Sequence, residues 1–271
     1  MKYFLYFLYL IVIISLYQCK CEHNPPPIKN IIKTNIDEKE QIPEIKINRY
    51  EIDLFNIDIN NIENELQKIK PKYKNIFLPD TIDKQTCFQL KQYLSDKNIQ
   101  KLYKDAMSIN KNLDEQEKLF SQSLYRYKKI FPEKRVPKIY SMLSGVNPNS
   151  QVVIGGDSII IFAVDMFLGR DFYTKGFGIP LYMTQNYTPQ SIVPSSLYYF
   201  LLAQYPGPES NTFIDKIIHQ GKILYLLDLL LPDIDDTLKI GYTKRQLKWC
   251  EANEKNMWTY IIDQKVLFST D

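Results

Sequence analysis

One stretch constrains the fold more than any other. From Gln151 to Val164 the chain reads Gln-Val-Val-Ile, then Gly-Gly-Asp, then Ser-Ile-Ile-Ile-Phe-Ala-Val. β-branched and aromatic side chains favour pleated backbone, and a glycine break between two apolar runs marks a hairpin around Gly155-Gly156-Asp157. Lys138 to Val146 reads as a further strand. From Ile45 onward Ile47, Tyr50, Ile52, Leu54 and Phe55 partly alternate with polar residues, as in a half-buried strand.

The rest of the ordered pattern is helical. Asn60 or Asn61 can cap a short helix to Lys70. A longer one is predicted from about Thr86 to Ile109, with Leu90, Tyr93, Leu94, Leu102 and Met107 inward, and another from Leu113 to Ile130, ending before Pro132. Residues 169–208 read as loop, punctuated by Pro180, Pro189, Pro194, Pro206 and Pro208. Asn211 or Thr212 opens a helix that ends before Pro232, and Thr243-Lys244-Arg245-Gln246 is a capping-box pattern opening the last one. This order predicts an α+β fold, a mainly helical single domain over residues 45–271 with a small antiparallel sheet.

The beginning of the chain predicts a destination. Lys2 precedes an uncharged run from Tyr3 to Gln18 whose apolar core, about fifteen residues, falls short of the roughly twenty a bilayer span requires. A lone lysine, a short apolar run and then a cysteine fit an export signal over residues 1–18. Leu16-Tyr17-Gln18-Cys19 resembles a lipobox, making Cys19 the expected lipidation site and the membrane the first expected partner. Residues 19–44 then read as a flexible linker, with Pro25-Pro26-Pro27 and the charged Glu38-Lys39-Glu40. Export places the domain in a bacterial envelope. Lys20 after the cysteine favours the outer over the inner membrane.

Composition narrows the function further. Lysines and arginines (34) nearly balance aspartates and glutamates (31), for a net charge of +3, so the chain lacks the basic excess of a nucleic-acid binder. Tyrosine (20) outnumbers glycine (9) twofold, a bias of AT-rich coding that removes functional weight from the lysines around Lys68 to Lys74. Of four cysteines, Cys87 and Cys250 lie far from the leader and form no CxxC pair.

Candidate chemistry gathers in the last two helices. At about 100° per residue, Leu247, Cys250, Met257, Trp258, Ile261 and Ile262 share a face into which Glu251 and Glu254 fall, and a carboxylate there needs a partner. Asp215, His219 and Lys222 sit four and three apart on the preceding helix. Both apolar stripes are expected to pack together, burying Trp258, Leu224 and Tyr225, with a cation such as Lys222 beside a glutamate. Gluzincin peptidases set two histidines four apart with a glutamate base between them and a downstream glutamate ligand. Here Asp215 stands at the first position and Lys216 at the base, so the expectation is a structural or binding cluster, with no catalytic residue, metal or cofactor. Asp165 and Asp171, flanking Phe167-Leu168-Gly169, read as turn residues.

Three stretches resemble the GldB lipoproteins of gliding Bacteroidetes. They are Val164 to Asp171 with Tyr173 and Pro180-Leu181-Tyr182; Ile217 to Tyr225, running to Leu231-Pro232; and Gly241-Tyr242-Thr243 with Trp249-Cys250-Glu251, Asn253-Glu254, Trp258 and Phe268 to Asp271. The family-motif residues are thus Asp165, Gly169, Asp171, Tyr173, Gly221, Tyr225, Trp249 and Trp258. The resemblance implies a lipid-anchored envelope protein of gliding motility, tied to protein secretion and working with other envelope proteins. It also implies a zincin-like architecture without an intact metal motif, and family members that run beyond residue 271. The alternatives left open are an unusual zinc-dependent hydrolase and a ligand-binding lipoprotein with residues 169–208 as a lid.

Overall fold

The computed structural model describes residues 42–74 and 76–270. The export signal, Cys19 and the linker as far as residue 41 lie outside the described residues. Strand β1 (Ile47–Arg49) leads directly into α1 (Tyr50–Phe55), so the alternation expected to make one strand is divided between two elements. Helices α2 (Ile62–Tyr73), α3 (Lys84–Ser95), α4 (Lys97–Asn110) and α5 (Asp114–Ile130) follow. Strands β2 (Lys138–Met142), β3 (Val152–Gly155) and β4 (Ile159–Ala163) come next. Helices α6 (Arg170–Phe177), α7 (Ile192–Gln204), α8 (Phe213–Leu230), α9 (Asp236–Ile240) and α10 (Lys244–Asp263) complete the domain.

The α+β class holds, but the sheet is mixed where an antiparallel one was expected. Its order is β1-β2-β4-β3. β1 and β4 run parallel to the central β2, in registers such as Ile47↔Ile139 and Tyr140↔Ile161. Only the β3–β4 hairpin is antiparallel. Ile139, Ile160 and Phe162 face a core shared with α4, α5, α7 and α8. Tyr140 and Ile161 face a second core with Tyr50, Leu54, Leu66, Tyr73 and Leu94 from α1, α2 and α3. A sheet covered on both sides needs apolar residues on both, which explains the unbroken Ile159-Ile160-Ile161-Phe162-Ala163 run.

Local chemistry also corrects the helix boundaries. The single helix expected over 86–109 breaks at Asp96, whose backbone turns extended (φ −68°, ψ 127°) and whose carboxylate accepts from the Asn98 and Ile99 amides. That is an N-cap, and it starts α4 on a new axis. Residues 169–208, expected as loop, contain α6 and α7. Pro194 sits in the first turn of α7, where a missing amide hydrogen forfeits no helical bond. The apolar character of α7 runs all round because the helix is interior, with Ile192 to Leu197, Phe200 and Leu201 buried. The capping box of α10 forms as read, Thr243 and Gln246 bonding reciprocally.

The last two helices do not bury each other's apolar stripes as expected. No side chain of α10 is buried among the described residues. Trp258 is 40% exposed, Tyr225 42% exposed, and Leu224 half-buried. Half-buried positions on α10 are Leu247, Cys250, Asn253, Met257 and Ile261, a narrow seam that leaves Glu251 and Glu254 in solvent. The C-terminal segment returns to the start of α8 instead, where the Phe213 amide donates to the Ser269 carbonyl at 2.8 Å.

Candidate functional site

Two concavities flank α8. The larger, about 650 Å³, is lined by Phe131, Tyr205, Pro206, Pro208, Asp215, Ile218, His219 and Lys222, among others. It gathers three residues of the predicted cluster but neither Glu251 nor Glu254, which are exposed on α10. Asp215 and His219 in its wall have structural work. Asp215 accepts from the Ser210 and Thr212 hydroxyls, and these bonds hold its carboxyl below the usual aspartate range. Thr212 in turn caps α8 through the Asp215 amide. The His219 Nε2 donates to the Tyr205 carbonyl at 2.7 Å, tying the end of α7 to α8. Lys222 is exposed and reaches no glutamate of α10 among the described bonds and ion pairs. The buried-cation expectation for Glu251 and Glu254 is therefore corrected: both already face water.

The smaller pocket, about 220 Å³, was not anticipated. It opens between Ser195, Tyr198 and Tyr199 of α7 and Gln220 and Leu224 of α8, with Gln151, Asn186, Lys239, Ile240 and Tyr242 closing it. Ser195 and Tyr199 stand four apart on one helix and Gln220 faces the pocket from the next. Tyr198 donates to the Gln220 side chain at 2.7 Å. Lys239 is buried, its ammonium 2.5 Å from Asp228 and 2.7 Å from Asp236. Burial lowers its pKa, and the bonds to both carboxylates outweigh that, so it stands above the ordinary lysine value. Gly241 adopts φ +79° at the end of α9, where an added Cβ would lie 2.8 Å from the Asn186 side-chain nitrogen. The pocket could have been suspected from two serines inside an apolar run and from Gly241-Tyr242.

Buried Glu51, far from both concavities, has structural partners. Glu51 accepts from Arg49 at 2.5 Å and from Ser141 at 2.8 Å, while Arg49 also donates to the Asn110 carbonyl at 2.9 Å. Among the described residues no group of three histidines, cysteines, aspartates or glutamates could hold a metal ion.

A family model described as gliding motility protein GldB matches residues 32–271. The chain belongs to the GldB family. No curated protein and no solved structure matches it. GldB is a lipoprotein family of gliding motility, and among the described residues no helix is long and apolar enough to cross a membrane.

The residues that carried the GldB resemblance fall into two groups. Asp165 and Tyr173 are fully buried. Asp165 accepts from the Ser144 amide (2.7 Å), the Ser144 hydroxyl (2.9 Å) and the Val146 amide (2.6 Å). Tyr173 donates to the Asp165 carbonyl and accepts from the Leu168 amide, both at 2.8 Å. Gly169 adopts φ +99° before α6, a conformation only glycine takes readily. The others are at the surface. Asp171 pairs with Lys175 at 2.7 Å, Gly221 meets open space, and Tyr225, Trp249 and Trp258 are exposed.

Proposed function

We propose that this GldB-family chain is a non-catalytic, lipid-anchored component of the gliding-motility apparatus and its associated protein-secretion machinery. Acylated Cys19 holds it in the bacterial envelope, on the outer membrane in preference to the inner, and its partners are other envelope proteins of that apparatus.

The GldB match over residues 32–271 supports the motility part of this reading, and the donor set of the pocket between α7 and α8 supports the non-catalytic part. A zinc peptidase needs imidazole, carboxylate or thiolate donors around the ion and a base beside the metal-bound water. Ser195, Tyr199 and Gln220 offer neither, and in the neighbouring groove His219 and Asp215 are already committed to backbone and hydroxyl partners. Three measurements test the reading. Mass spectrometry of the mature protein should find Cys19 acylated, crosslinking in the native envelope should recover motility or secretion proteins, and metal analysis of the purified protein should find no stoichiometric zinc. Tightly bound zinc lost on His219→Ala, together with peptide cleavage, would establish the hydrolase reading instead.

A further inference from the structure

We infer that the pocket between α7 and α8 binds one neutral, hydroxyl-rich ring, a single sugar residue either free or at the end of a glycan. The first ground is unsatisfied polarity. Ser195 is only 5% exposed, lines the pocket, and its hydroxyl has no hydrogen-bond partner among the described residues. The buried Asn186 side-chain oxygen in the same wall also has none. Buried polar atoms of folded chains are nearly always paired, and two of the five unpaired ones among the described residues belong to this one wall; a ligand seated there supplies the missing bonds once a side-chain rotation turns the Ser195 hydroxyl into the opening. Asn186 requires a donor, and Ser195 takes a donor or an acceptor. A hydroxyl-bearing ligand provides both.

Size and charge define the rest. At about 220 Å³ the pocket lies below the range of roughly 300–1,000 Å³ typical of drug-sized ligands, which suits one ring. Its single charged wall residue among those described, Lys239, is already neutralised by Asp228 and Asp236. An anionic ligand would therefore find no free cation. Tyr199 and Tyr242, 42% and 45% exposed, stand at the mouth, where phenol rings offer an apolar face and a polar tip to a sugar.

This inference does not depend on a role in motility, and binding can fail while envelope crosslinking succeeds. The test is titration of the full-length protein with glucose, galactose, mannose and N-acetylglucosamine, their methyl glycosides, and glucuronate and glucose 6-phosphate, read by ligand-observed NMR. At least one neutral sugar should bind at millimolar concentration or below. Ser195→Ala should weaken it about five- to thirtyfold, the worth of one or two hydrogen bonds, without shifting thermal unfolding downward. Tyr242→Ala, at the exposed mouth, is the second variant and should also weaken binding. Preference for a methyl glycoside would assign the glycan end, and equal binding of the free sugar the monosaccharide. Binding by none of the neutral sugars, a preference for the charged ones, or affinity unchanged in both variants would overturn the inference.

Discussion

Asp165→Asn isolates the carboxylate that ties the turn after β2 to the segment after β4. One carboxylate oxygen accepts from the Ser144 amide, and the other from the Ser144 hydroxyl and the Val146 amide. Between these bonds the chain passes through two left-handed residues, Gly145 at φ +78° and Val146 at φ +59°. For a β-branched residue that conformation costs about 1–2 kcal/mol, so the carboxylate holds the turn against its own preference. The asparagine oxygen can keep the Ser144 amide, and the serine hydroxyl can rotate to accept from the new NH2. The Val146 amide then faces a second donor. Losing its charge-assisted bond removes about 1.5–3 kcal/mol, and leaving a half-buried amide unpaired adds about 1 kcal/mol or more. The expected loss is about 3 kcal/mol, or roughly 6–12 °C in Tm for a domain of this size. Urea unfolding followed by circular dichroism measures it. A change below about 0.5 kcal/mol, the level of an ordinary surface substitution, would refute the assignment of Asp165 as the organiser of this turn.

Glu251→Ala and Glu254→Ala should each change stability by less than about 0.5 kcal/mol, and a loss of several kcal/mol in the same unfolding assay would mean that the exposed placement of α10 is wrong. Gly241→Ala should destabilise by about 1–3 kcal/mol, because it adds left-handed strain and a Cβ against Asn186. Gly221→Ala, mid-helix with open space around it, should instead stabilise by about 0.5–1 kcal/mol. Burial raises Tyr73, Tyr127 and Tyr173 above the ordinary phenol value of 10.0. Because their folded pKa values are raised, the stability they contribute is complete below pH 10.0 and is lost as pH climbs toward the folded values. Tyrosinate absorbance from these three should appear together with loss of helical signal, and their ionisation within an intact fold would contradict the burial.

What could be read from the sequence follows from how local each cause is. The hairpin at Gly155-Gly156 and the capping box at Thr243 are set by residues within a few positions of one another, and both form. The parallel pairing of β1 with β2 depends on segments far apart in the chain, and nothing near Ile47 announces it. Helix α7 was hidden because an interior helix has no amphipathic period and because Pro194 reads as a breaker unless its place in the first turn is known. At about 100° per residue Glu251 and Glu254 fall beside Met257 and Ile261. The helix rests on a narrower seam, and the width of a contact is set by the neighbour it meets. The pocket at Ser195 needed five segments brought together, and only its outlying markers, the paired serines and Gly241-Tyr242, are local.

The short first strand also decides how the domain would carry load. β1 is a three-residue edge strand, the first regular element after Ile42. Force applied through the chain before it enters the fold at Ile45, whose amide is clamped by Ser121 at 2.8 Å. It meets next the Ile47 amide and the Lys46 ammonium, both held by Glu117 at 2.9 Å. Traction on the chain before Ile45 would thereby be passed sideways into α5, in the middle of the core, as well as to the β1–β2 ladder. Glu117 is the link on which that transfer turns, and a chain lacking it would give way from β1 first.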